Sequence, residues 1–330
     1  MPTAVAPRGK TIDFLVGAQS AFGTPATGNY AKTYIRSHSL VMKQPFANDP
    51  VLGLPRSNNR DVTAPAPGLV TLAGNIEVPL DYNHIGTWFT GAFGAAADSG
   101  SGDPYTHVFT SGGEALPFLT GEVEIQMPSG APIFMQYGSL LVSKFTLDAS
   151  RAAGEEKMTF EMMGQVEAQN SSTGGGTPAT PWARDMVQAA IGTFNINGEP
   201  AANILKISAT YDNKPKAQEY LGNASGLISG IDLDDESTFN GTIQLRFRDT
   251  TMYALAIAQS AFEGTILYSR ASGRLVQFDA PNMRLEPAGI EIKGPAGIEQ
   301  TFTFRCEQSS SAPMLTATLE NLVPSYGSGP

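Results

Sequence analysis

Runs of alternating apolar and polar residues recur along this chain, and two of them are followed by a helical pattern. Residues 74–80 and 241–247 alternate as strands do when one of their faces is buried. After each run, in 81–94 and in 249–261, apolar residues recur at three- and four-residue spacing. The pattern therefore predicts a strand followed by an amphipathic helix, once in each half of the chain.

The correspondence between the halves continues past the two helices. Residues 134–137 match 275–278, and residues 154–162 match 297–306, in the same order along the chain. Internal repeats of this kind report architecture more than chemistry. We interpret them as two weakly similar copies of one β-rich unit, each with one flanking α-helix. A single larger sandwich of the jelly-roll type is the alternative.

A run rich in Gly, Ser, Thr and Pro divides the chain near its middle. Such a composition predicts a flexible or extended linker that buries nothing. The predicted fold class is therefore mainly β, with two tandem β-sandwich domains. The first domain spans residues 1–170, the linker 171–181 and the second domain 182–330.

Two segments of the first domain depart from the strand pattern. Residues 45–67 contain five prolines, which remove the donors that a central strand needs, so we expect a long loop there. Residues 95–118 are rich in Gly, Ser and Asp and have no counterpart in the second copy. They are interpreted as an insertion.

Composition narrows the possible functions. Only 16% of residues are charged, against about a quarter in a typical soluble domain. The 35 glycines and 23 prolines favour short strands and turns, or a surface that contacts other copies of the protein. The net charge is 21 − 31 = −10, without a basic cluster, which argues against tight nucleic-acid binding.

The sequence also lacks pairs of cysteines and long apolar runs. Cys306 is the single cysteine, so no internal disulfide can form, and the chain suits a reducing cytosol. No run of about 18 apolar residues occurs, so we expect no membrane-spanning segment.

The sequence offers little that suggests catalysis. His38, His84 and His107 are far apart and lack a metal-ligand spacing, and Cys306 ends an alternating run that predicts a buried thiol. The acidic run 232–236 lacks the glycine and the spacing of an EF-hand loop, which favours a solvated turn. No nucleotide-binding or nucleophile motif is present. We expect no catalytic residue, no metal, no cofactor and no enzyme activity.

Several short motifs resemble those of siphovirus tail tube proteins, from phages with long non-contractile tails. The segments that carry the resemblance are spread over both halves of the chain: 22–26, 37–40, 56–60, 68–79 and 85–93 in the first half, and 194–198, 208–213 and 241–247 in the second. The insertion at 95–118 departs from a minimal tube unit.

The resemblance implies a structural subunit of a phage tail tube. Its β-sandwiches would pair strand edges around a ring, and rings would stack through long loops. The lumen would conduct DNA without binding it specifically. Family rings are commonly sixfold, so a chain with two units predicts trimeric rings with pseudo-sixfold symmetry. Other implied partners are the tail tip and tail terminator proteins, and the implied location is the virion tail, assembled in the host cytoplasm.

A carbohydrate-binding or adhesin-type sandwich of a virion or cell surface is the alternative function. Such a module exposes aromatic rings that stack on sugars. This chain has two tryptophans, and Trp88, at helical spacing with Ile85 and Phe89, is predicted to lie in the core.

Within the tube interpretation, two sets of residues are candidates for direct roles. A negatively charged lumen would repel DNA over about a Debye length, ~8 Å. The candidates for that wall are the carboxylates of Glu122, Glu124, Glu77 and Glu161. In the loop 45–67, Arg56 and Arg60 are candidates for charge-assisted contacts between stacked rings.

Overall fold

The alternating runs form strands, and the protein is mainly β. The computed structural model describes residues 6–28, 30–49, 61–178, 180–201, 203–221, 223, 225–270, 273–290, 292 and 297–326. The elements of the first half are β1 Ile12–Ala18, β2 Ala31–Thr33, β3 Ser37–His38, β4 Val41–Lys43, β5 Phe46–Ala47, β6 Ala66–Pro67, β7 Thr71–Pro79, α1 Ile85–Phe93, β8 Ala97–Ser99, β9 Tyr105–Thr110, β10 Leu119–Ile125, β11 Ile133–Ser150, β12 Lys157–Gly164 and β13 Val166–Asn170. Those of the second half are β14 Thr193–Ile196, β15 Glu199–Pro200, β16 Ile204–Asp212, β17 Lys216–Gln218, β18 Gly230–Asp232, β19 Thr238–Arg246, α2 Thr251–Ala258, β20 Phe262–Arg270, β21 Arg274–Leu285, β22 Glu299–Cys306 and β23 Thr316–Asn321. Single 3-10 turns lie at Gly9–Thr11 and Ala189–Ile191.

One antiparallel sheet runs through both halves of the chain. We call it the spanning sheet; its strand order is β7-β12-β11-β16-β19-β22. The β3–β4 row pairs along the far side of β7, and the end of β21 pairs along the far side of β22. Because side chains alternate along each strand, one face of this sheet is buried and the other is polar and solvent-facing.

A flanking sheet packs over the buried face in each half. The first flanking sheet has the order β2-β1-β10-β11-β13. The second has the order β14-β20-β21-β23-β9-β8. The long strands β11 and β21 each begin in a flanking sheet and end in the spanning sheet. Each half is therefore a sandwich whose two layers share a strand.

The two helices predicted from apolar spacing are present, but only α1 is almost entirely buried. Its Phe89 ring packs 5.6 Å from both Phe109 and Phe278, centroid to centroid. Aromatic side chains bury about 150–250 Å² each, so this cluster dominates the core between the halves. The helix ends at Gly94, whose φ of 92° suits glycine. The other helix, α2, buries Met252 and little else that is large.

The two halves repeat one pattern of strand pairing. The first half pairs β1 with β10, β10 with β11, β11 with β12 and β13, β12 with β7, and β7 with β3–β4. The second half pairs β14 with β20, β20 with β21, β21 with β22 and β23, β22 with β19, and β19 with β16. A small hairpin, β5–β6 or β17–β18, follows the equivalent strand in each half.

Glycines recur at equivalent places in this pattern. A Cβ atom on Gly74 would lie 2.3 Å from the carbonyl oxygen of Ser39, and one on Gly241 would lie 1.9 Å from that of Ser208. Both distances are far below van der Waals contact, so only glycine lets these backbones approach each other.

The segment 95–118 is not an appendage of the first half. Its strands β8 and β9 extend the second flanking sheet, because β9 pairs with β23 over six residues. Contacts elsewhere also tie the halves together: the Tyr268 hydroxyl donates to the buried Glu156 carboxylate at 2.9 Å. The insertion therefore fastens one half of the chain to the other.

The repeated glycines give a test of this architecture. Gly241→Ala should lower the free energy of unfolding by about 1–3 kcal/mol or more, since the added methyl group meets backbone that has no alternative position. Gly74→Ala should do the same, through the same contact in the other half. Gly9→Ala is the matched control, because nothing lies within 4 Å of its Cβ position. Denaturant unfolding of the purified subunit measures all three, and unchanged stability of Gly241→Ala would contradict the proposed close approach.

Candidate functional site

The polar face of the spanning sheet is a broad, regular surface to which both halves of the chain contribute. Small hydroxyl and amide side chains cover most of it: Thr71, Asn75, Thr146, Ser150, Thr159, Ser208, Thr210, Thr238, Asn240, Thr242, Gln244, Thr301 and Thr303. Alternate residues of the same strands point into the core, so the strand period alone separates this face from the apolar one. The face continues without interruption from one half of the chain to the other.

Charges on this face are balanced. Its acidic residues are Glu77, Asp148, Glu161, Asp212 and Glu299, and as many basic residues accompany them: Lys144, Lys157, Lys206, Arg246 and Arg305. Three of the lysines lie close to a carboxylate: the Nζ–O distances are 2.7 Å for Lys157–Glu77, 2.8 Å for Lys144–Glu161 and 3.1 Å for Lys206–Asp148. The chain's net charge of −10 therefore resides elsewhere.

The pKa values on this face agree with the pairing. A hydrogen bond to Glu161 raises the pKa of Lys144 above its ordinary value. Burial alone would raise the pKa of Asp148, but hydrogen bonds from Ser208 and Lys206 together hold it below its ordinary value. Lys144 and Asp148 therefore both stay ionised at neutral pH.

Two of the four predicted wall carboxylates lie on this face. Glu77 and Glu161 stand on the paired strands β7 and β12. Each is engaged by a lysine, and Glu77 also lies 3.4 Å from the Arg36 guanidinium. They lie near each other, as an acidic wall requires, but as members of ion pairs and not as free carboxylates.

The prediction that Glu122 lies on a solvent-facing strand surface is wrong. Its side chain is 0% exposed, and its carboxylate accepts hydrogen bonds from the Thr173 hydroxyl and, at 2.8 Å, from the Gly174 N–H. The prediction that the linker buries nothing is wrong at the same place, because Gly175 is buried and its carbonyl accepts the Tyr30 N–H at 3.1 Å. A buried carboxylate needs such donors, and the linker supplies them.

Glu124 lies apart from the other candidates. It stands on β10, in the first flanking sheet, where it accepts a hydrogen bond from the Gln126 side chain at 2.5 Å. Strand alternation places Glu122 and Glu124 on one face, as expected, but only the tertiary structure reveals that the linker covers Glu122.

A second feature is a pair of loops at one end of the spanning sheet. The connection from β4 to β7 and the connection from β16 to β19 lie side by side, and the Val70 N–H donates to the Gly226 carbonyl at 2.8 Å. At the tip of the second loop, Tyr220 is exposed and Leu221 fully so. The predicted stacking residues Arg56 and Arg60 lie outside the described residues.

Sequence reasoning missed the tip of the second loop. Its signal was an adjacent Tyr–Leu pair inside a polar, glycine-containing stretch, where no strand or helix pattern would bury either side chain. This exposed apolar pair is a candidate for contact with another copy of the chain.

The histidine, the cysteine and the acidic run that could have carried chemistry are buried in the fold or engaged in ion pairs. His107 is buried, with one ring nitrogen 2.7 Å from the Asp98 carboxylate, and burial raises the pKa of the Cys306 thiol to about 12. The acidic run 232–236 is largely exposed, and Asp235 pairs with Lys216 at 2.9 Å. Within the described ranges, no group of three or more His, Cys, Asp or Glu residues could hold a metal ion. No helix in that part of the chain is long and apolar enough to cross a membrane.

Comparison with known proteins gives one informative match. No individually curated protein matches the chain. The model of a family described as phage tail tube protein matches residues 9–306, which include the insertion, the linker and most of each half. This protein therefore belongs to the phage tail tube protein family, and it is a structural subunit that assembles with further copies into the tail tube of a virion.

Proposed function

We propose that the chain builds the tube of a long, non-contractile siphovirus tail, and that the polar face of the spanning sheet lines the channel for DNA. One observation carries this proposal: a single sheet passes through both halves and presents a wide, uninterrupted polar surface. Six strands at about 4.8 Å spacing span roughly 29 Å. Protein–protein interfaces have apolar, charge-depleted centres, whereas this face is hydroxylated and charged, which suits contact with water.

The balanced charges fit a channel that DNA must traverse quickly. Unpaired lysines or arginines would bind phosphates and release counterions, and this affinity would add up over many rings. Here three lysines each face a carboxylate at about 3 Å. We therefore replace the expectation of a negative wall by that of a charge-paired wall, in which Glu77 and Glu161 shield lysines. Glu122 is buried, and Glu124 belongs to the other sheet.

The duplication is the second part of the proposal. The repeated pairings and glycine contacts support two tube units, in residues 1–170 and 182–330, joined by 171–181. The spanning sheet with its two edge rows offers eight strands from each chain. Three chains would then supply six units and 24 strands, for a circumference of about 115 Å and a backbone diameter of about 37 Å.

Channel width favours three chains over two. Side chains reach about 5 Å from each wall, half the spacing of packed sheets, which leaves about 27 Å for three chains and about 14 Å for two. The two grooves of DNA are together about 16 Å deep, so only the larger ring admits a duplex.

This arrangement predicts the symmetry of the assembled tube. Electron microscopy of tubes grown from the purified chain should give rings of three chains with a pseudo-sixfold inner wall. Rings of six whole chains would contradict the predicted stoichiometry, but they would still agree with the proposal that the chain forms a tube. Dispersed monomers at all concentrations would instead favour the adhesin-type alternative.

The channel wall can be tested by adding a positive charge. Thr242→Lys places an unpaired lysine halfway along β19 on the polar face, and virions that carry it should eject DNA several-fold more slowly at low salt. The defect should shrink as salt rises, because screening weakens phosphate contacts. Thr110→Lys is the matched control, exposed on β9 of the second flanking sheet. Equal ejection rates for the two variants at low salt would exclude this face as the wall.

The loop tip gives a test of ring stacking. Leu221→Ser should leave the subunit folded, because the side chain is fully exposed, yet shorten tubes several-fold by removing apolar contact with the next ring. Leu221→Met, which keeps an apolar side chain at the same exposed position, is the matched control and should leave tube length unchanged. The measurement is the length of tubes in electron micrographs. Normal lengths for Leu221→Ser would show that this loop tip does not take part in stacking.

The remaining parts of the proposal follow from the structural role. A tube subunit needs no catalytic group, and a buried, protonated Cys306 thiol suits folding in the host cytoplasm before incorporation into virions. Tail tip and tail terminator proteins would bind the first and last rings.

A further inference from the structure

We infer that the junction between the two halves of this chain is repeated between neighbouring subunits. In the ring, the β3–β4 row of one copy would lie antiparallel beside the segment 286–290 of the next, as β16 lies beside β11 inside the chain, except that Pro287 has no N–H to donate to this ladder. This inference rests on the proposed function, since it names the surfaces that close the ring, and its partner is a second copy of this chain.

The internal junction supplies the geometry. Strands β11 and β16 pair antiparallel over seven residues, from Lys144 opposite Asp212 to Ser150 opposite Lys206. Beyond the end of β16, the buried Asn213 side chain donates to the Ala92 carbonyl, at the end of α1, at 2.9 Å. The junction thus combines a strand ladder with a side chain that satisfies a helix terminus.

On one side, β16 corresponds to the β3–β4 row. Ser208 lies on β16 against Gly241 of β19, and Ser39 lies in the β3–β4 row against Gly74 of β7, with the same close approach. Counting from these serines along the two registers, Lys43 occupies the place of Asp212.

On the other side, β21 corresponds to β11. Each of these strands pairs with the strand before it in the chain, β11 with β10 and β21 with β20, and each pairing contains a register shift. The shift lies at Gly121 of β10 in the first case and at Gly264 of β20 in the second. The ladder to β22 continues past β21, since the Glu286 N–H donates to the Thr303 carbonyl at 2.9 Å. Glu286 therefore occupies the place of Lys144, which lies opposite Glu161 in the first half.

Among the described residues, neither edge has a strand partner on its outer side. Among the described strands, β4 pairs with β7 alone, and its Val41 is 43% exposed. On the other edge, Ile290 is 41% exposed. Open edges that carry apolar residues invite pairing with another chain. In the free subunit the Glu167 carboxylate accepts the Met42 N–H at 2.8 Å, so a side chain shields the edge until a strand replaces it.

Charge complementarity sets the register. Inside the chain Lys144 stands opposite Asp212, and between chains Glu286 would stand opposite Lys43, the same attraction with the signs exchanged. Neither Lys43 nor Glu286 has an ion-pair partner among the described residues. Two unpaired opposite charges at equivalent edge positions are what a junction between copies requires.

Charge reversal tests the junction. Lys43→Glu and Glu286→Lys should each lower the yield of rings and tubes at least tenfold, because like charges then face each other. The double variant Lys43→Glu/Glu286→Lys should restore the yield to within about twofold of the original. Circular dichroism of the subunits checks that both single variants fold. Assembly by either single variant at the original yield, or no recovery in the double variant, would overturn the inference.

A crosslink separates this inference from the proposed function. Lys43→Cys/Glu286→Cys should form disulfides between copies in oxidised tubes, because opposite residues of paired strands have Cα atoms about 4.5–5.5 Å apart. Lys43→Cys/Thr110→Cys is the control and should stay uncrosslinked. Tubes that form without the first crosslink would refute the junction and leave the tube intact. If the unmodified chain formed no tubes at all, the proposed function itself would fail.

Discussion

The rest of the structure depends on the hydrogen-bonded pairing of β11 with β16. This ladder turns two sandwiches into one sheet, so that the chain presents one polar face and one continuous core. Its inner side carries Phe145 opposite Tyr211, both buried, and rings at this place also contact Phe93 of α1. Because a strand cannot shift by one residue without turning every side chain to the other face, the ladder fixes the relation of the halves as firmly as it fixes the local fold.

The difference between the two helices follows from this junction. The first helix lies where strands from both halves meet, so its large aromatic side chains, such as Trp88 and Phe89, are buried. The second helix occupies the equivalent place at the open end of the sheet. There it carries smaller residues and leaves Ile257 exposed. Equivalent positions in the two halves thus diverge where their neighbours differ, and they stay alike where the backbone itself is crowded, at Gly74 and Gly241.

The net negative charge of the chain is unevenly distributed over its surface. The polar face of the spanning sheet has matched charges, and exposed ion pairs of this kind stabilise a fold by only about 0–1 kcal/mol each. The arrangement of these ion pairs therefore affects which charged molecules the face attracts more than it affects the stability of the fold. In the proposed channel, pairing would let lysines remain on the wall without holding phosphates. The buried Glu122 has a different role, because it anchors the segment that joins the halves.

The sequence by itself determined the strand and helix pattern and the family resemblance, because strand period and glycine placement are local properties. Alternation correctly put Glu77 and Glu161 on a polar face. It could not reveal that lysines from neighbouring strands neutralise them, since cross-strand partners are set by register. For the same reason, the burial of Glu122 by Thr173 and Gly174 was beyond sequence reasoning: strand alternation shows which residues share a face, and only the tertiary structure decides what covers that face.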